Sequence, residues 1–254
     1  KHFALYGAVE RGKEYNTTDM SHVRMFNQYL PPYEAVVKAG VATVMSSFNL
    51  IDYVPATANR WMMTDVLRNR WGFNGMLVTD YASIAEILQH GTAQNLKQAG
   101  EEALHAGTDM DMCAKAYVQH LAQSVKEGKV SEEEINQACR RVLEAKYRLG
   151  LFKDPYRYCD TKLSKKDIYT LDNRKVARDV AAETFVLLKN ENNILPLKKE
   201  GKVALIGPLA DTRNNIAGTW SVAQVPEKYT TLKEAMQQAL KGKAELLYAQ
   251  GSNI

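Results

Sequence analysis

Gly75-Met-Leu-Val-Thr-Asp80 is a short apolar strand that ends on a carboxylate. A helix-like stretch, Thr64-Asp-Val-Leu-Arg-Asn-Arg-Trp71, and a turn, Gly72-Phe-Asn-Gly75, lead into it. An acid at the C-terminal tip of a buried parallel strand stands where α/β enzymes bind ligands and place their chemistry. The opening segment, Lys1-His2-Phe3 through Tyr6-Gly7 to Tyr15-Asn16, is polar, carries glycine and is rich in donors. Together the two segments suggest a sugar-cleaving site of which this chain holds a part.

The same rhythm of helix and strand runs outward from Asp80. Ser21 caps a helix over 22–30, Pro31-Pro32 breaks it, and Tyr33 to Ala39 restarts it before Gly40. Val41 to Met45 reads as a buried strand, with an irregular loop through Pro55. Asn59 caps a helix ending near Trp71. Beyond Asp80 come helices over 83–90 and 94–105, then a short strand, Thr108-Asp-Met-Asp-Met112. Two more helices follow, over 114–127 and from the capping box Ser131-Glu-Glu-Glu134 to Gly150. This alternation predicts a parallel sheet with covering helices, open or closed into a barrel. Residues 153–172 lack a clear period and read as a linker. A helix over 173–189, a strand over 202–207, a helix over 231–240 and a strand over 244–249 then form a second βαβ unit.

Composition narrows the function classes. In 254 residues, 45% hydrophobic and 24% charged, there is material for one large or two ordinary cores. The net charge of +4 is mild. Its densest basic points, Lys162 to Lys166 and Lys198-Lys199, are short and have little aromatic interleaving, which argues against nucleic-acid binding. No apolar run approaches the ~18 residues of a membrane span. Cys113, Cys139 and Cys159 match no metal spacing, and their odd number argues against a disulfide framework.

Three aspartates, Asp80, Asp109 and Asp111, lie at or near strand ends. Retaining glycoside hydrolysis needs two carboxyl groups ~5 Å apart: one attacks the anomeric carbon, and the other protonates the leaving oxygen and then activates water. Each aspartate can equally cap a helix or pair with a cation. Lys1 and His2 can donate to sugar hydroxyls, although neighbours on a regular strand point to opposite faces, and His2 can instead be a core histidine with a backbone partner. Tyr81 can stack on a sugar face or merely pack. Ile206-Gly-Pro-Leu-Ala-Asp211 is no dinucleotide loop, because G-x-G-x-x-G is missing and Pro208 removes a donor.

Taken together, Lys1-His2-Phe3, Val44-Met-Ser-Ser-Phe-Asn49, Trp71-Gly-Phe73, Val78-Thr-Asp80, Gly150-Leu-Phe152, Asp154-Pro-Tyr156, Leu195-Pro-Leu197 and Gly207-Pro-Leu-Ala-Asp211 resemble glycoside hydrolase family 3 in their order and spacing. Within it they are most similar to the periplasmic β-glucosidases of Gram-negative bacteria. The resemblance covers essentially the whole chain. It implies an α/β architecture: residues 1–152 as the C-terminal part of a (β/α)8-type catalytic barrel, and 173–254 as the start of an α/β sandwich domain. It also implies that Asp80 is the nucleophile, that Lys1 and His2 bind hydroxyls of the terminal glucosyl unit, that Met45 lines the pocket, and that Tyr81 is the aromatic beside the nucleophile.

Two departures stand out. Asp52-Tyr53 occupies a place where the family often has Asn-Gly, and Phe48 one where it often has tyrosine. The Gly-His-Gly loop of the N-acetylglucosaminidase branch is missing from Ala4-Leu-Tyr-Gly-Ala8.

The expected function is therefore an exo-acting retaining β-glycosidase acting on a β-linked oligosaccharide or glucoside, periplasmic by resemblance and needing no metal or organic cofactor. The acid/base glutamate is expected outside these residues. The chain reads as an internal fragment, and alone it is expected to be poorly stable and at most weakly active. The alternatives are an inert carbohydrate-binding remnant of the same fold, a related β-xylosidase, or an unrelated barrel enzyme acting on phosphorylated substrates. The last would need a glycine-rich phosphate loop where Met110-Asp-Met-Cys113 is acidic.

Overall fold

The computed structural model describes residues 1–218, 221 and 223–253. The fold is mixed α/β, in two compact units, Lys1–Ser164 and Lys165–Ile254.

In the first unit the short strands are β1 (Thr17–Thr18), β2 (Thr43–Met45), β3 (Leu50–Ile51), β4 (Val54–Pro55) and β5 (Met76–Val78). β2 and β5 pair in parallel, Val44 opposite Leu77. Single parallel bridges extend this pair on both sides, Phe3 to Ser46 and Val78 to Met110. Four segments thus run side by side in chain order, all in one direction, and Asp80 follows the third. The expected strand over 108–112 shrinks to the Met110 bridge. There the Met112 N–H donates to the Thr79 hydroxyl rather than to a backbone carbonyl, so the ladder stops.

Local signals set the helices. The Ser21 hydroxyl accepts from the Arg24 N–H and opens the first one. A π-wound turn over Met25–Tyr29 ends at Leu30, and Pro31 starts the helix Pro31–Lys38, where its missing N–H costs nothing. Asn59 Oδ1 accepts from the Met62 N–H at the head of the π-wound helix Trp61–Arg70. The helix Glu132–Arg148 carries the expected capping box. The helix expected over 83–90 is regular only over Ser83–Glu86, beyond which Ile87 and Leu88 bond three residues back and the coil tightens toward Gly91. Phe3, Met25, Leu30, Met62, Met63, Leu67 and Leu77 fill the space between the sheet and these helices. Each such side chain contributes about 1.5–3 kcal/mol by leaving water.

β3 and β4 form a hairpin with Ile51 opposite Val54, so its loop is the two residues Asp52 and Tyr53. Their φ values are 50° and 64°. A two-residue hairpin turn with both residues left-handed is the conformation that Asn-Gly fits best. Asp52-Tyr53 adopts it against its side-chain preference, and the Tyr53 ring is 68% exposed, so little packing compensates. Tyr53→Gly is expected to raise stability by about 1 kcal/mol, read as a higher denaturant midpoint. An unchanged or lower midpoint would show that the ring holds the turn through contacts of its own.

The second unit is a βαβ arrangement. Strands β6 (Lys202–Ile206) and β7 (Glu245–Ala249) pair in parallel, with Ala204 opposite Leu247. Between them the helix Leu232–Leu240 opens on a Thr231/Glu234 capping box. Two expectations change here. The stretch read as a linker holds a helix, Thr161–Asp167, started where the Asp160 carboxylate accepts from the Lys162 N–H. The helix read as 173–189 spans Leu171–Glu183. Thr170 caps it two residues earlier than read, accepting from the Asn173 N–H, and the Thr184 hydroxyl bonds back to the Ala181 carbonyl at its end. The apolar run Phe185-Val-Leu-Leu188 after Thr184 leaves the helical course.

Candidate active site

Asp80 leaves the sheet at the carboxyl ends of the parallel segments, the end at which α/β sheets hold their ligands. The frame beneath it is a chain of buried hydroxyls. Ser46 Oγ meets Thr57 Oγ1 at 2.9 Å, Thr57 meets Ser83 Oγ at 2.7 Å, and the Thr108 hydroxyl donates to the Thr57 carbonyl. Just past Asp80, the Ala82 N–H donates to the Met112 carbonyl, and Ala82 turns left-handed at φ 56°. That turn sends the chain into the helix Ser83–Glu86 and leaves the Asp80 side chain at the sheet end.

Asp80 is buried, and its two oxygens have different partners. Oδ1 accepts from the Tyr81 N–H at 2.7 Å. Oδ2 stands 3.2 Å from His2 Nε2. A carboxylate only accepts, so the contact is attractive when Nε2 carries the ring proton. The His2 carbonyl accepts from the Tyr33 hydroxyl at 2.5 Å, which fixes the backbone behind the ring. His2 is thus a side-chain neighbour of Asp80 and not a core histidine.

An aromatic wall leads away from His2. Its ring meets Tyr6 edge-on at 5.7 Å, Tyr6 lies 6.2 Å from Phe48, and Tyr15 lies 4.9 Å from Phe48. Burial, Glu14, Tyr15 and then Asp80 push the Tyr6 phenol up to about 12. Burial, then Glu86, also raises Tyr15.

The other expected site residues fall in different places. Met45 is half-buried at the carboxyl end of β2, its carbonyl accepting from the Phe3 N–H. Tyr81 is 61% exposed and touches Asp80 through its backbone. Lys1 is exposed and lines an apolar groove of about 490 Å³ with Leu5, Tyr33, Val37 and Leu67. Asp80 is not among the groove's lining residues, so this groove is not where the carboxylate and histidine meet.

Asp109 and Asp111 are structural. Asp109 receives Arg68 at 2.7 Å, Arg141 at 2.8 Å and the Leu77 N–H at 2.8 Å, with 1% of its side chain exposed. Asp111 accepts from the Ala114 and Tyr117 N–H groups and caps the helix Ala116–Lys126. Ser83-Ile-Ala-Glu86 has the spacing of a capping box. In the structure no side chain caps that helix, and Ser83 serves Thr57 instead. Among the described residues no three of His, Cys, Asp and Glu are grouped to hold a metal ion.

Burial lowers the pKa of His2, while the Asp80 charge opposes the shift. The folded chain therefore takes its proton at lower pH than the unfolded one. Stability from the neutral ring is full above the ordinary value of 6.5 and declines as pH falls through the folded value. An NMR titration of His2 is expected to give a midpoint below 6.5. A midpoint above it would mean that Asp80 outweighs burial.

Residues 1–145 match the glycosyl hydrolase family 3 N terminal domain. The chain belongs to that family. Residues 185–251 match the family 3 C-terminal domain. The periplasmic beta-glucosidase of Salmonella typhimurium is 46% identical over 257 residues, which cover 100% of this chain and 34% of that protein. A beta-xylosidase of Formosa agariphila is 32% identical over 100% of this chain and 37% of its own. Among solved structures, the beta-glucosidase of Listeria innocua in complex with glucose superposes at a TM-score of 0.87 and 40% identity, over 100% of this chain and 34% of that one. This family 3 chain spans about a third of the length of the relatives it matches. None of its described helices is long and apolar enough to cross a membrane.

Proposed function

We propose that this chain carries the nucleophile half of a retaining, exo-acting β-glucosidase, with its first unit part of a (β/α)8-type barrel and its second the start of an α/β sandwich. Asp80 attacks the anomeric carbon of a terminal β-D-glucosyl residue. The bond from C1 to an Asp80 oxygen forms as the bond from C1 to the leaving oxygen breaks, and water later hydrolyses the ester. Tyr81 N–H and His2 hold the two carboxylate oxygens, so the nucleophile meets the sugar already oriented. A carboxylic acid from outside these residues protonates the leaving oxygen. The observation that carries the reading is the joined Asp80–His2 pair at the sheet's carboxyl end, in a chain 46% identical to a periplasmic beta-glucosidase. The periplasm is the proposed compartment on that likeness. β-Xylosides are the second substrate class, favoured by the 32% identity to a beta-xylosidase.

Trapping tests the assignment. A 2-deoxy-2-fluoro-β-glucoside with a dinitrophenolate leaving group needs no acid, and its fluorine slows hydrolysis of the ester. Intact mass and peptide mapping are expected to place one glycosyl group on Asp80. Attachment at another residue, or none on a chain shown by circular dichroism to be folded, would reject Asp80 as the nucleophile of this chain.

A further inference from the structure

Asp80 to Ser83 form one turn. The Ser83 N–H donates to the Asp80 carbonyl at 3.2 Å, and the Tyr81 N–H donates to Asp80 Oδ1 at 2.7 Å. Ala82 within it stands at φ 56°, a conformation that a residue with a Cβ keeps only where its surroundings impose it. The aim of the Tyr81 N–H, and with it the seat of the carboxylate, therefore depends on what holds Ser83. The Ser83 hydroxyl lies 2.7 Å from Thr57 Oγ1, which lies 2.9 Å from Ser46 Oγ. Ser46 pairs with Phe3, the neighbour of His2. The Phe3 N–H donates to the Met45 carbonyl at 2.8 Å, and the Phe3 carbonyl accepts from the Ser47 N–H at 2.9 Å. Thr57 thus joins the support of His2 to the support of Asp80, whose side chains meet at 3.2 Å. It is itself fixed, since its carbonyl accepts from the Thr108 hydroxyl at 3.0 Å. Ser46, Thr57 and Ser83 are all buried. Each hydroxyl has one proton, so Thr57 donates to one neighbour and accepts from the other. Such a chain adds little net stability over apolar side chains of the same shape, but it holds its members to one arrangement.

We propose that Thr57 is a positioning residue for the nucleophile: its hydroxyl, acting through Ser83, holds the turn that keeps the Asp80 carboxylate aimed at the anomeric carbon. This rests on reading Asp80 as the nucleophile. Thr57 lies beneath the sheet end and acts on the bond-forming step, not on the grip of the sugar.

Trapping of the full chain by 2,4-dinitrophenyl 2-deoxy-2-fluoro-β-glucoside tests this. Intact mass followed against time and reagent concentration separates reagent binding from the first-order step in which C1 joins Asp80. Thr57→Val fills the same space without a hydroxyl. It is expected to slow that step about tenfold and to leave reagent binding within about twofold, since misplacing a reacting group by about 1 Å costs on the order of 100-fold. Thr57→Ser, which keeps the hydroxyl, is expected to recover most of the rate. Ser83→Ala cuts the same link from its other end and stands in should Thr57→Val not fold. The two changes together are expected to cost no more than the larger of them alone, because they remove one link. NMR supplies a second readout. The Tyr81 amide proton, which reports the bond to Asp80 Oδ1, is expected to move upfield in Thr57→Val and Ser83→Ala and to return in Thr57→Ser. The Leu77 amide, which donates to Asp109 at 2.8 Å, is expected to stay in place. Lowered stability alone would leave both amides of the folded chain where they are. An unchanged trapping rate in folded Thr57→Val or Ser83→Ala, a loss confined to reagent binding, or a Tyr81 amide that does not move would overturn the proposal and leave Asp80 standing as the nucleophile. Should the folded, unaltered chain form no adduct at Asp80, the nucleophile reading falls and this proposal with it.

Discussion

Asp109→Ala is expected to destabilise the first unit by about 3–5 kcal/mol, read by urea unfolding. Asp109 is the meeting point of four elements. It accepts from Arg68 of the helix Trp61–Arg70, from Arg141 of the helix Glu132–Arg148 and from the N–H of Leu77 in β5, and it precedes the Met110 bridge itself. Arg68 also donates to the Gly75 and Gly107 carbonyls, tying the starts of two neighbouring strand segments together. Burial lowers the Arg68 pKa and Asp109 opposes that, so removing the carboxylate leaves a buried guanidinium with its main compensation gone. The penalty is that of an unpaired buried charge, which exceeds the net worth of the pair itself. Against a total of about 5–15 kcal/mol for a domain, the loss removes a large share of the stability. Asp111→Ala, which removes only a helix cap, is expected to cost about 1 kcal/mol. Similar costs for the two substitutions would mean that the Arg68–Asp109–Arg141 cluster is solvated and not structural.

The contrast between Asp109 and Asp111 shows what a sequence discloses. Both read as candidate acids at a strand end. Asp111 answers to N–H groups three and six residues on, a local pattern that spacing can suggest. Asp109 answers to arginines 41 and 32 residues away, which no window around it contains. Caps were legible for the same reason as Asp111. Ser21, Asn59 and Ser131 each bond within three residues. The short strands were legible because Val44 and Leu77 belong to apolar runs bounded by turn residues. Tyr53 shows the opposite limit. Its left-handed turn is forced by the pairing of Ile51 with Val54 and not by its own preference. At Ser83 a local rule fails: Glu86 stands at capping-box spacing, yet the Ser83 hydroxyl meets Thr57 instead. The contact of His2 with Asp80 joins residues distant in the chain, and strand alternation says only that Lys1 and His2 face different ways.

Asp80→Gly is expected to abolish hydrolysis of 2,4-dinitrophenyl β-glucoside, and added azide to restore turnover with α-glucosyl azide as product. The enzyme-held nucleophile is worth an effective concentration on the order of 10⁵ M or more, so its loss should lower the rate by about that factor. Glycine at position 80 removes the whole carboxylate and frees the space that it fills beside His2 and the Tyr81 N–H. Azide can enter that space and attack C1 from the face that Asp80 used. Because no second displacement follows, the product is inverted relative to the β-substrate. The leaving dinitrophenolate needs no proton, so the test does not depend on the acid that the natural reaction requires. Asp80→Asn separates the chemistry from the fold. It keeps an oxygen for the Tyr81 N–H but is a poor nucleophile, so it is expected to match the loss of Asp80→Gly in rate, to show no azide rescue because the space stays filled, and to unfold near the unaltered chain. A β-configured azide product, or an Asp80→Asn chain that still turns over, would remove Asp80 from the chemistry. In that case the His2 contact would hold a structural carboxylate in place, as Arg68 holds Asp109 on the same sheet.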